Sequence, residues 1–222
     1  MEPRLTAINE NEVLMYLGYK GGEIPPEVLA DIRRCMDIMM KAARPRAVWR
    51  QFALLPDGGL QGTDFRPQGN DVKELLKDSS QVILMGATLG TEVEALLRRA
   101  QVKNMADAVI LDCCGSSAIE NVCDNLCADL EQSVAGYLTD RFSPGYGDLP
   151  FAQQPEFCRV LDITRRIGVS LSPGGLMIPQ KSVTALMGVA DRPQNKRFRG
   201  CAYCSQFKNC TYRKGNHTCG NH

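Results

Sequence analysis

The sequence has no charge-free run that approaches the length of a membrane span, so we expect no membrane partner. Its first residues, Met1-Glu-Pro-Arg-Leu-Thr6, show no basic segment followed by an apolar core, the pattern of a secretory signal. We therefore expect a cytoplasmic protein. Structural disulfides are rare in that compartment, so the ten cysteines of this 222-residue chain are expected to pack in a core or to serve metal or redox chemistry.

Acidic residues are absent from the end of the chain. Residues 192–222 hold seven Lys/Arg and no Asp/Glu, so residues 1–191 carry a net charge of −6 although the whole chain is at +1. This change, with a linker at 191–195, predicts a domain over 1–191 and a basic cysteine-rich tail over 192–222. A hydrophobic content of 44% is enough for the domain to build a core.

Residues 1–79 are predicted to form an N-terminal helical and hairpin part. Asn9 is expected to cap a short helix, and Pro25-Pro26 opens a second helix that runs to about Ala43. The segments 47–54 and 60–65 flank a Pro-Asp-Gly-Gly turn, which predicts a β-hairpin.

The following segments alternate between strand and helix patterns. The apolar run 81–87 predicts a buried strand, and Asn70 is expected to cap the helix before it. Thr91 and Glu94 have the spacing of a capping box for the helix after it. A long helix is predicted over 105–138, followed by a short helix and strands at 169–171, 176–178 and 183–189. These elements predict an α+β fold.

Four cysteines fall within the predicted long helix, and no histidine lies near them in sequence. Cys123 and Cys127 share a helix face, as a metal-binding pair would. Small apolar side chains four residues apart are more often core residues, so we assign Cys113, Cys114, Cys123 and Cys127 to packing.

The stretch 141–150, Arg-Phe-Ser-Pro-Gly-Tyr-Gly-Asp-Leu-Pro, predicts an irregular connector whose backbone groups are left free to meet a ligand or another strand. Arg141 offers a planar guanidinium suited to a carboxylate, and Tyr146 offers a ring with a polar tip. By residue chemistry alone a tight surface turn with an ordinary arginine beside it is the favoured interpretation, since Gly- and Pro-rich connectors are common.

This stretch resembles the Arg-x-x-x-Gly-Tyr signature of the activation (reactivation) domain of cobalamin-dependent methionine synthase. The matching residues are Arg141, Ser143, Pro144, Gly145, Tyr146 and Pro150, whereas Gly147 and Leu149 replace the family's usual Pro and Cys. The segments 82–93 and 108–117 are also similar to free-standing forms of this domain, and 171–179 followed by 186–189 resembles the family's closing β segment. The resemblance implies a twisted antiparallel sheet with flanking helices and one long central helix.

The resemblance also implies a function. The chain would bind S-adenosylmethionine and support the reductive methylation of cob(II)alamin to methylcob(III)alamin on a partner, a cobalamin-binding methionine synthase or related corrinoid protein. A flavodoxin- or ferredoxin-type donor would supply the electron. Arg141 would bind the ligand carboxylate, and Ser143, Pro144, Gly145 and Tyr146 would line the adenosyl and cobalamin sides. Glu120 and Glu131 are candidates for the ligand's amino group, and no residue need act as an acid or a base.

The tail is a second chemical signal. Cys201, Cys204, Cys210 and Cys219 lie within 19 residues that have little apolar material to form a core. This spacing predicts an iron–sulfur cluster or a zinc ion, with the cluster slightly favoured because the spacing is not that of paired zinc-ribbon knuckles. An oxidation-prone basic tail without metal is the competing interpretation.

A different class of function is the main alternative. The domain would then be a non-catalytic, metal-binding adaptor whose basic tail binds a protein partner or nucleic acid, since aromatic and basic residues alternate there. Within the favoured interpretation nucleic acid is not expected, and the tail's charge would instead dock an acidic redox partner.

Overall fold

The computed structural model describes residues 2–19 and 23–194. The four tail cysteines lie outside them. The described part is an α+β fold of seven α-helices and six strands, with one 3-10 turn at Phe151–Gln153. The helices are α1 (Glu10–Tyr16), α2 (Pro26–Ala42), α3 (Asn70–Leu76), α4 (Thr91–Lys103), α5 (Met105–Ser133), α6 (Gln154–Leu161) and α7 (Ile163–Ile167). The strands are β1 (Arg46–Ala53), β2 (Ser79–Thr88), β3 (Tyr137–Leu138), β4 (Ser170–Leu171), β5 (Met177–Ile178) and β6 (Ser182–Ala190).

A four-stranded antiparallel sheet lies at the centre, in the order β1-β2-β6-β3. The two middle strands are buried along most of their length, which explains their nearly continuous apolar sequences. The β4–β5 hairpin forms a separate two-stranded sheet. Within the described ranges, no helix has the length and apolarity that crossing a membrane requires.

Each face of the sheet carries its own core. Helices α1, α2, α4 and α5 pack on one face, where Ile83 and Met85 of β2 meet Val122 and Cys123 of α5. Helices α3, α6 and α7 cover the other face, where Val82 and Leu84 meet residues such as Phe157. Alternate residues of β2 therefore divide between the two cores, as the two-residue period of a strand requires.

Several sequence predictions are confirmed at the level of the element. Asn9 caps α1 by accepting from the amides of Asn11 and Glu12, α2 begins at Pro26, and the buried strands β2 and β6 lie where the apolar runs placed them. The long helix is also present, but it ends at Ser133, and Val134 is already extended.

The predicted hairpin is wrong. Strand β1 pairs with β2 over eight residues, and its predicted partner 60–65 contributes only an isolated bridge between Leu54 and Leu60. The reason is that 60–65 is folded into turns, with the amide of Thr63 bonded to the Leu60 carbonyl. The strand composition was recognised correctly, but its partner lies more than twenty residues further along the chain.

Two predicted caps are also wrong. Helix α4 begins at Thr91 with Gly90 at the cap position, and the Glu94 carboxylate accepts from the distant Gln180 amide. Asn70 is the first residue of α3 and caps nothing. Its amide and that of Asp71 are bound by the carboxylate of Asp148, at 2.6 and 3.1 Å. In α3 a tertiary contact replaces the local cap, whereas in α4 a tertiary contact engages the residue that the capping box would have used.

Candidate functional site

Arg141 lies at the edge of the central sheet, three residues after β3. The next residue, Phe142, exchanges two backbone hydrogen bonds with Leu186 of β6, of 2.9 and 2.8 Å. Successive side chains of an extended chain point to opposite faces. Phe142 is accordingly buried in the core under α3 and α6, while Arg141 contacts α5 on the other face.

The Arg141 guanidinium is held by one face of α5. It donates to Glu120 Oε2 at 2.8 Å and lies 2.9 Å from Asp124 Oδ1 and 3.8 Å from Cys127 Sγ. These three partners are spaced by four and three residues, which places them on one stripe of the helix. Only 19% of the Arg141 side-chain surface is exposed. The arginine is therefore oriented before any ligand arrives.

The carboxylates around Arg141 outnumber it. Burial raises the pKa of Glu120 above its usual range, Asp124 and Glu12 raise the pKa further, and Arg141 opposes them. Glu12 comes from α1 and accepts a 2.7 Å hydrogen bond from Ser117 Oγ. Two carboxylates thus share the Arg141 guanidinium, a third lies near Glu120, and a cation would be stabilised among the three.

A cavity of about 350 Å³ lies beside this cluster. It is lined by Ala7, Asn9, Glu12, Ser117, Asn121 and Asp124. The chain before α1 forms one wall, because Asn121 Oδ1 accepts from the Thr6 amide at 2.9 Å and Arg4 pairs with Asp129 at 2.7 Å. Asp124 belongs both to the cavity lining and to the Arg141 cluster, so the two features form one continuous site.

The loop 143–149 that follows Arg141 is a compact double turn. The amide of Tyr146 bonds to the Ser143 carbonyl, and those of Gly145 and Leu149 bond within the loop as well. This corrects the expectation of free backbone groups, because these three amides are already used. Gly145 has a φ of 92°, which favours glycine, and the Tyr146 ring is 68% exposed.

The two residues that depart from the signature have clear structural roles. Gly147 has a φ of 49°, and a Cβ there would collide with the Asp71 carboxylate and with Phe142 Cζ. Leu149 is only 1% exposed and belongs to the core under α3 and α6. The far end of the loop is therefore a packed anchor.

The two candidate glutamates, Glu120 and Glu131, lie in different surroundings in the structure. Glu120 reaches Arg141, whereas Glu131 lies three turns further along α5, is exposed, and is not among the ion-pair partners of Arg141 in the described chain. Sequence reasoning missed Asp124 and Glu12. The four-residue spacing of Glu120 and Asp124 was the available signal for the first, while Glu12 reaches the site only through the packing of α1 on α5.

The helix cysteines mostly pack as predicted. Cys113, Cys114 and Cys123 are buried, and burial raises the pKa of Cys114 to about 12. Cys127 packs against the same core, although it is only partly buried, and its sulfur lies 3.8 Å from the Arg141 guanidinium and 3.6 Å from Met187 Sδ. Among residues 2–19 and 23–194, no three His, Cys, Asp or Glu side chains are placed to hold a metal ion.

Comparison with known proteins gives a structural match. No family model matches the sequence, and no curated protein does. Among solved structures, the chain is similar to one described as the MetH reactivation domain bound to AdoHcy. The TM-score is 0.62 at 12% identity, over 94% of this chain and 83% of that one. The chain therefore shares the fold of the MetH reactivation domain.

Proposed function

We propose that this protein binds S-adenosylmethionine and serves as the reactivation component of a cobalamin-dependent methionine synthase. The observation that carries the proposal is the Arg141 guanidinium, held by Glu120 and Asp124 beside an acid-lined cavity. The shared fold supports it, since the similar MetH domain was solved with AdoHcy.

The charges of the site match those of the ligand. At neutral pH, S-adenosylmethionine carries a sulfonium and an ammonium, both positive, and one carboxylate. The site offers Glu12, Glu120 and Asp124 to the cations and Arg141 to the carboxylate. Arginine has five N–H donors, so Arg141 retains donors for a ligand while it keeps its contacts to α5. Of the two candidate glutamates, Glu120 would bind the ammonium, because Glu131 is exposed and lies three turns further along α5.

The loop would hold the rest of the ligand. The internal bonds of the loop use the carbonyls of Ser143 and Tyr146 as well as the amides, so another carbonyl, such as that of Pro144, would accept from the exocyclic amino group of adenine. Ser143, Pro144 and Gly145 would line the adenosyl group. The exposed ring of Tyr146 would face the corrin of the partner, where an apolar face with a polar tip is useful.

The chemistry belongs to the bound groups, and this chain supplies position and charge. One electron from a flavodoxin- or ferredoxin-type donor and the methyl group of S-adenosylmethionine convert the partner's cob(II)alamin to methylcob(III)alamin. S-adenosylhomocysteine is left behind. The neutral product has lost the sulfonium charge, so the acidic cluster holds it less strongly than it holds the substrate, which favours turnover.

An assay with a cobalamin-loaded methionine synthase tests the function. The partner is prepared as cob(II)alamin and mixed with S-adenosylmethionine and titanium(III) citrate, and methylcob(III)alamin is followed by its visible absorbance. We expect formation to require this protein and to be lost in Arg141→Ala but kept in Arg165→Ala, an exposed arginine of α7. A rate equal with and without the wild-type protein would contradict the proposal.

We further propose that the tail, 192–222, binds a metal through Cys201, Cys204, Cys210 and Cys219. The support is the cysteine spacing, in a segment whose composition offers no core. Protein purified without oxygen should carry iron and sulfide, or zinc, in amounts that fall in Cys201→Ser/Cys204→Ser but not in Cys113→Ser. Equal metal content in all three proteins would rule the site out.

A further inference from the structure

A candidate for a second site is a cavity on the face of the sheet opposite to Arg141. Its volume is about 460 Å³. It lies between the turn that follows β1, the segment before α3, and α3 itself. Its apolar lining consists of Leu54, Leu55, Pro56, Pro67, Val72 and Leu76. This size and lining are typical of sites that bind small organic molecules.

The charged side chains that line this cavity are two lysines and one aspartate. Lys73 and Lys77 stand four residues apart on the same side of α3. Lys77 is paired with Glu74 at 2.6 Å, whereas Lys73 has no ion pair within the described residues. The only acidic lining residue, Asp57, is neutralised by Arg66 at 2.6 Å. The rim therefore favours an anion.

Ser79 also belongs to the cavity lining. Its Oγ is buried and lies against Gly188, so this hydroxyl is not open to a ligand.

Helix α3 links this cavity to the loop of the candidate site. Its last turn supplies Leu76 and Lys77 to the cavity. Its first turn is bound to the loop, since Asp148 accepts from the amides of Asn70 and Asp71, and the Asp148 amide donates to Asp71 at 3.2 Å. The seven-residue helix α3 thus connects the cavity to the loop 143–149. A ligand that orders one end of α3 would also order the other end.

We propose that this cavity binds a small anionic amphiphile, an organic acid with an apolar tail, and that its occupancy steadies the loop 143–149 through α3. The tail would fill the space against Leu54, Pro56 and Val72, and the acid group would meet Lys73. The site is separate from the Arg141 cluster, so its existence does not depend on the function proposed above.

Calorimetric titration with decanoate, below its micelle concentration, tests the site in the full chain. We expect saturable binding that is weakened about fivefold in Lys73→Glu and about tenfold in Leu55→Asp. Lys103→Glu, an exposed lysine of α4, is the control and should change the affinity less than about twofold. Circular dichroism establishes that the variants are folded, which their exposed positions favour.

Two further ligands test the contributions of the apolar tail and of the acid group separately. Decanol has the tail without the charge, and butyrate has the charge without the tail, so both should bind much more weakly than decanoate. The proposal is overturned if decanoate does not bind, if decanol binds equally well, or if Lys73→Glu and Leu55→Asp bind like the control.

Hydrogen exchange tests the coupling without using S-adenosylmethionine. Saturating decanoate should slow exchange of the Gly145, Tyr146 and Leu149 amides, which close the loop. The effect should be lost in Asp148→Ala while decanoate still binds. Binding with unchanged exchange of these amides in the wild type would overturn the proposed link through α3.

Discussion

Arg141 and Phe142 are neighbours in the chain, yet they serve opposite faces of the same sheet edge. Phe142 is 6% exposed in an apolar core, while Arg141 meets three polar partners on α5. The backbone bonds between Phe142 and Leu186 fix both at once. An apolar anchor on one face therefore orients a charged cluster on the other.

Loss of the anchor should have the largest effect on stability. Phe142→Ala removes a buried ring and should lower the free energy of unfolding by about 3–5 kcal/mol. Urea denaturation measures the change. Phe151→Ala is the matched control, because that ring is 43% exposed and should cost less than about 1 kcal/mol. Equal decreases in the free energy of unfolding for the two variants would contradict the stabilising role given to Phe142.

A smaller loss of stability is expected from a substitution in the loop 143–149, where it packs against Phe142. Gly147→Ala places a Cβ against Phe142 and Asp71 at a positive φ, so it should lower the free energy of unfolding by about 1–3 kcal/mol. Gly174→Ala is the control, since its Cβ would lie 3.9 Å from the nearest atom, and a change within about 0.5 kcal/mol is expected. A neutral Gly147→Ala would show that the loop conformation is not fixed there.

On the charged face, pH should change binding and stability in opposite directions. The pKa of Glu120 is raised above its ordinary 4.5, mainly by burial, so the carboxylate ionises only at higher pH. Affinity for S-adenosylmethionine should therefore rise with pH through this pKa, by about tenfold at most per pH unit. Titrations at several pH values measure the rise, which Glu120→Gln should flatten.

The raised pKa of Glu120 predicts that the stability of the ligand-free protein falls as the pH rises. A raised pKa in the folded state means that Glu120 contributes stability below its unfolded-state pKa, and this contribution is lost as the pH rises through the folded-state pKa. Urea denaturation of wild type and Glu120→Gln across this window should show a difference with that sign. A wild-type affinity that does not change with pH would contradict the role given to Glu120.

Local sequence patterns predicted much of the fold. The apolar runs of β2 and β6, the Asn9 cap and the helical stripe of α5 depend on near neighbours, so composition and spacing were sufficient. The partner of β1 and the Asp148 cap of α3 are set by residues far apart in the chain. No local pattern contains that information.

The candidate site also combines residues that the sequence suggested with contacts that only the tertiary packing creates. Arg141 and Glu120 were predicted through the resemblance, but their pairing, the contribution of Asp124 and the approach of Glu12 depend on how α1 and the sheet edge pack on α5. The cavity under α3 has no sequence signal, because its lining residues belong to three separate segments.

Isothermal titration with S-adenosylmethionine tests the central claim most directly. Wild-type protein should bind saturably. Arg141→Ala should weaken binding by at least about tenfold, because it leaves the ligand carboxylate and two protein carboxylates without their cation. Arg141→Lys should bind with an affinity between those of the wild type and Arg141→Ala, since lysine keeps the charge but not the planar donor geometry. Folded wild-type protein that fails to bind, or an Arg141→Ala variant that binds with wild-type affinity, would contradict the account.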